Sequence, residues 1–134
     1  MGSGYVGEMA GVTRERRSAS SFPRYGDIYQ AILDPVVGSE TGKSRPVLVV
    51  SNDINNEFSG TVTVVPITGQ PSEKVRPYEV LVPKGVGGLT TDSRMKANQI
   101  RTLDKSRLAH FRGALPVEYL PLVEKALKIH LNMR

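Results

Sequence analysis

Between Arg24 and Leu103 the chain is written in short runs rich in Val, Ile, Thr and Tyr, cut apart by Gly, Pro, Asn and Ser. Runs this short leave little room for amphipathic helices, and β-branched residues between turn formers are the signature of an all-β barrel or sandwich. The tightest constraint is RPVLVVSN, apolar without a break from Val47 to Val50. A strand buried on both faces is written that way, and Pro46, which has no amide donor, is tolerated at a strand's first residue. The spacing therefore predicts a central strand over 46–51, with further strands over 25–33, 61–67, 78–82 and 91–103. Pro66, near the end of TVTVVPIT, predicts that this strand is an edge or carries a bulge. Asn55 to Phe58 suggests one helical turn before Gly60.

The last twenty residues change period. Leu120, Val123, Leu127 and Leu131 recur at helical spacing, and Pro121 is acceptable only because it falls in the first turn. A single C-terminal helix should pack on the barrel. Residues 1–22, rich in Gly and Ser without a sustained apolar period, read as a tail or leader, so the folded domain is assigned to 23–134. A chain of 134 residues is one domain's length.

Composition narrows the function. Without a cysteine there is no disulfide framework, thiolate metal site or cysteine nucleophile, and with no apolar run near membrane-spanning length the reading is a cytoplasmic protein with no membrane partner. A net charge of +5 points to a polyanionic partner. Segment 94–112 carries Arg94, Lys96, Arg101, Lys105, Arg107 and Arg112 against Asp104 alone, a basic stripe that reads either as a phosphate footprint or as a solvated face. His110 and His130 share no motif, and the carboxylates Asp34, Glu40, Asp53 and Asp92 have no spacing that builds a metal clamp, so no metal and no cofactor is expected. GSETGKS mimics a phosphate loop superficially, because it runs into a strand rather than a helix. The eleven residues DPVVGSETGKS are long for a hairpin connection, and such loops are usually functional.

The blocks YGDIYQAILDPVVGSETGKSRPVLVVSND, FSGTVTVVPIT, RPYEVLVP and NQIRTLDKSRL, in this order across about residues 24–132, resemble the MazF/PemK family of toxin endoribonucleases. The resemblance implies a mainly β, SH3-like small barrel with a C-terminal helix, in agreement with the strand and helix reading. It also implies a homodimer, inhibited by a cognate antitoxin, that cuts single-stranded RNA such as mRNA at a short sequence without a metal. In that family the ribose 2′-hydroxyl attacks, leaving a 2′,3′-cyclic phosphate and a 5′-hydroxyl. Two other readings share the fold: a toxin that poisons DNA gyrase, and a nucleic-acid-binding module without catalysis.

Carried over residue by residue, Arg45 matches the family's catalytic arginine before proline, and its planar fork suits a phosphate. Thr68, ending VVPIT, matches the catalytic threonine. Glu40 matches an acidic position of the active-site loop, where it accepts a proton, bonds a base edge or forms a structural salt bridge. Some members carry an Arg and a basic Asp where this chain has Lys96 and Asn98, and a His where it has Ser39. Asn98 cannot abstract a proton at neutral pH, so that acid–base assignment does not transfer. Lys43, Lys96, Asn98, Gln99 and Arg101 are types that hold RNA phosphates and base edges, and Phe58 is the preferred ring for stacking a base.

Overall fold

The computed structural model describes residues 18–69 and 74–134. Seven strands and two helices follow one another: β1 (Asp27–Ile32), β2 (Ser44–Val49), α1 (Asp53–Phe58), β3 (Thr61–Thr68), β4 (Glu79–Val82), β5 (Ser93–Lys96), β6 (Arg101–Asp104), β7 (Leu108–Ala114) and α2 (Leu120–His130). The strands form one antiparallel sheet in the order β4-β5-β3-β2-β1-β7, with β6 pairing β3 next to β5. A mainly β domain with a C-terminal helix is thus what forms, as expected. The proposed tail over 1–22 lies outside the described residues as far as position 17.

Alternation along the central strands divides the interior in two. Ile28, Leu48, Val65 and Ile67 face a core completed by Met95, Leu115, Val123 and Ala126, whereas Tyr29, Ala31, Val47, Val49, Val62, Val64 and Leu103 face a second core. Val47, Leu48 and Val49 are each fully buried, which is why that run carries no polar residue. β2 is central, as its composition predicts, but begins at Ser44 rather than at Pro46. Pro46 is accommodated because pairing with β3 covers only Val47 to Val49.

Two other expectations are corrected, and one strand is added. β3 is neither an edge nor bulged at Pro66: it pairs β6 over Thr61–Val64 and β5 over Ile67–Thr68, and Pro66 falls in the gap between these partners, where no N–H is required. The strand predicted over 91–103 is broken into β5 and β6 by a 3₁₀ turn, Ala97–Gln99, as the chain turns a corner along β3. β7 went unpredicted, since LAHFRGA shows no clean alternation. It is held by β1 alone and by the loop after β4, which crosses so closely that a Cβ on Gly113 would stand 2.8 Å from the Gly87 carbonyl. That loop links the two ends of the sheet.

α1 is longer than the single predicted turn, since Asn52 caps it by accepting the Asn55 N–H at 2.9 Å. In α2, Pro121 lies in the first turn, and Val123 and Ala126 are buried with Leu120 and Leu127 beside them. Leu131 lies beyond the helix and is exposed, so Ala126 takes its place on the packed face. Among the described residues no helix is long and apolar enough to cross a membrane.

Candidate active site

The loop between β1 and β2 returns on itself. Leu33 N–H donates to the Lys43 carbonyl at 2.8 Å and Lys43 N–H to Asp34 Oδ1 at 2.8 Å, closing its neck. The Asp34–Pro35 bond is cis and Lys43 is left-handed, with φ 67°. A Cβ on Gly42 would lie 2.5 Å from Asp34 Oδ1 and 2.7 Å from Val36 Cγ2, so any larger residue there requires those side chains to move. The folded loop walls an open cleft of about 570 Å³ whose lining includes Ser39, Glu40, Lys43, Arg45, Thr68 and Lys96.

Two strands set the central pair. The β2–β3 ladder ends with Val47 opposite Pro66, and two residues beyond that pair on each strand Arg45 and Thr68 both line the cleft. The Arg45 Nε–H donates to the Gly42 carbonyl at 2.9 Å, and among the described residues no other nitrogen of this guanidinium has a partner. Both terminal nitrogens stay available to an anion. The Thr68 hydroxyl likewise has no hydrogen bond among the described residues and lines the same cleft. A bidentate cation and a hydroxyl on the ends of two neighbouring strands, lining one cleft, suit a phosphate.

Arg94, which sequence reasoning counted only in the basic stripe, belongs to this site. It stands opposite Thr68 on β5, lines the cleft and is buried against Glu79, its Nη1 donating to Glu79 Oε1 at 2.8 Å and to the Lys74 carbonyl at 3.4 Å. A buried Glu on β4 two positions off register was the signal that could have found it. Glu40 is exposed and forms no salt bridge among the described residues; its Oε1 accepts the Val37 N–H at 2.9 Å and leaves its other oxygen toward solvent. Among the described residues no histidine lines the cleft, and no three of His, Asp and Glu come together.

The remaining candidates separate. Lys43 and Lys96 line the cleft. Asn98, Gln99 and Arg101 line a neighbouring hollow of about 390 Å³ that shares Glu40 with it. Phe58 is not brought to either: it is 79% exposed on α1, before the start of β3, whereas Thr68 ends that strand. Nor is the basic stripe one surface. Arg101 donates to the Leu33 carbonyl at 3.1 Å, Arg107 to the carbonyls of Ile32 at 3.1 Å and Asp34 at 2.6 Å, and Arg112 to Gln30 Oε1 at 2.9 Å and the Gly88 carbonyl at 3.0 Å. These cations clasp loops, a role that linear charge density does not reveal.

A family model described as the PemK-like, MazF-like toxin of type II toxin–antitoxin systems matches residues 24–131. Endoribonuclease EndoA of Bacillus subtilis (strain 168) is 45% identical over 108 residues, covering 81% of this chain and 93% of that protein. The crystal structure of MazF from Deinococcus radiodurans superposes with a TM-score of 0.74 at 30% identity, covering 85% of this chain and all of the other. A MazE–MazF structure from the same organism gives a TM-score of 0.67 at 29% identity, over 84% of this chain and 97% of that one.

Proposed function

The chain belongs to the PemK-like, MazF-like toxins of type II toxin–antitoxin systems, and we propose that it is an endoribonuclease that cuts single-stranded RNA, mRNA included, at a short sequence. The carrying observation is the pairing of the free Arg45 fork with the Thr68 hydroxyl across one cleft. Attack by a ribose 2′-oxygen on the adjacent phosphorus forms a phosphorane with extra negative charge. Arg45 gives that charge two hydrogen bonds and Thr68 a third, aimed in advance by rigid strands. Glu40, the exposed carboxylate on the rim, takes the 2′-proton; Lys43 and Lys96 hold flanking phosphates, and Asn98 meets a base edge. Collapse of the phosphorane breaks the P–O5′ bond, and the departing oxygen takes the proton that Glu40 accepted, relayed through water. The products are therefore a 2′,3′-cyclic phosphate and a 5′-hydroxyl, and the nucleophile needs no metal-bound water.

Two partners complete the reading. A second copy of the chain covers the edge strand β4 and α2, where Leu81, Leu122 and Ile129 lie in solvent around a groove of about 490 Å³. The similarity to a toxin solved with MazE supports an antitoxin, whose acidic segment would cross the cleft and exclude RNA.

The experiment is cleavage of a long RNA in excess EDTA with sequencing of the cut ends. Cyclic-phosphate and 5′-hydroxyl ends, and resistance of a substrate with one 2′-deoxy residue at the cut, are expected. A 5′-phosphate product, or cutting of the blocked substrate, would rule the mechanism out.

A further inference from the structure

Gln99 has the side chain of a base reader, yet its oxygen is already taken. The Thr41 backbone N–H donates to Gln99 Oε1 at 3.1 Å, across 58 residues of sequence. A backbone N–H can meet only an acceptor, so this bond also settles which end of the carboxamide is oxygen. Thr41 precedes Gly42, and the Gly42 carbonyl is the acceptor that holds Arg45 Nε at 2.9 Å. Thr41 and Gly42 share a peptide bond, so a shift at the Thr41 N–H is passed to the Gly42 carbonyl. Three consecutive constraints therefore run from the 3₁₀ turn Ala97–Gln99 to the guanidinium that faces the cleft.

We infer that Gln99 is a positioning residue that aims Arg45 through Thr41 and Gly42, and that the accepting oxygen of its side chain is what the site requires. The inference rests on the nuclease reading for its kinetic consequence but not for its structural one. Without the bond, the loop's far limb is free to drift and the Gly42 carbonyl turns the Arg45 fork away from the phosphate. Misplacement of a catalytic group by about 1 Å can cost about 100-fold in rate.

Two variants separate this role from direct contact with RNA. Gln99→Glu keeps an acceptor for Thr41 N–H but loses the NH₂ donor, while Gln99→Met keeps the length and loses both. Expected are a kcat for Gln99→Glu within about threefold of the parent and a fall of about 10- to 100-fold for Gln99→Met, read at saturating RNA so that added charge weighs on KM instead. In the free protein, hydrogen exchange at the Thr41 amide should quicken several-fold in Gln99→Met and not in Gln99→Glu. Equal losses in both variants, a larger loss in Gln99→Glu, or no loss in either would overturn the proposal, as would unchanged Thr41 exchange in Gln99→Met. If the parent protein cut no RNA, the nuclease reading would fail, and the exchange measurement would still decide whether Gln99 holds the loop.

Discussion

Thr68 and Arg94 face each other across the β3–β5 ladder, and Arg94 is held there by a Glu79 side chain only 5% exposed. Glu79 Oε1 also accepts the Arg76 N–H at 3.1 Å, so one carboxylate oxygen joins the cleft's wall to the connection entering β4. Burying two charges is costly, and Arg94 is also steadied by the Lys74 carbonyl. Removing Glu79 takes from the buried Arg94 its carboxylate partner at 2.8 Å. Glu79→Ala should lose about 3–5 kcal/mol in denaturant unfolding, and Arg94→Met with Glu79→Leu should regain most of it. A single-variant loss below about 1 kcal/mol would mean that water reaches the pair.

Arg45→Ala and Thr68→Ala should each reduce kcat by at least about 10²- to 10³-fold, since Arg45 supplies two of the donors aimed at the phosphorane and Thr68 the third. Because neither side chain is in a core, the unfolding free energy should move by no more than about 0.5 kcal/mol. Arg45→Lys restores the charge without the planar fork and should stay impaired. Full activity in either alanine variant would remove that residue from the chemistry.

Gly42→Ala places a methyl group where only 2.5 Å separates it from Asp34 Oδ1. The strain, of about 1–3 kcal/mol by analogy with overpacked cores, should appear both as lost stability and as a kcat loss, since the same displacement moves the acceptor of Arg45 Nε. Loss of stability with unchanged kcat would show that Arg45 is aimed by something other than the Gly42 carbonyl.

Lys96 lines the cleft without an ion pair among the described residues, while Arg112 is spent on Gln30 and Gly88. Lys96→Ala should therefore lower the slope of log K against log salt for single-stranded RNA by about 0.7. Arg112→Ala should leave that slope alone. Equal effects would restore the stripe as a single phosphate track.

Asp104 caps the turn Lys105–Arg107, its Oδ2 accepting both the Ser106 hydroxyl at 2.5 Å and the Ser106 N–H at 2.9 Å. These bonds, with the nearby Arg107 charge, hold its carboxyl below the ordinary value of 3.8. A group depressed on folding stabilises the fold above its unfolded value, and that contribution is lost as pH falls through the folded one. NMR titration should find Asp104 protonating below 3.8 in the parent, and closer to 3.8 in Ser106→Ala. An unchanged titration in Ser106→Ala would refute the assignment of cause.

The central strands were legible because burial on both faces admits only apolar side chains, and Val47 to Val49 are each fully buried. The helix α2 was legible because its period is local. β7 was not, since Leu108–Ala114 is only half covered and its partners lie at Asp27–Ala31, far away in sequence. The break between β5 and β6 was hidden for a related reason, as a corner in a sheet is imposed by the strand it follows.

For the site, local sequence determined which chemistry was present: a permanent fork before Pro46, a hydroxyl at the end of β3, and a glycine-bearing loop just ahead of the fork. Tertiary structure alone decided what each polar residue does with its hydrogen bonds. Gln99, Arg101 and Arg107 have the same side chains whether they meet RNA or a loop carbonyl, and 58 to 75 residues separate them from the backbone groups that they hold. A hydrogen bond is satisfied by whichever partner the fold brings within about 3 Å, and that distance is written nowhere in the linear order of residues.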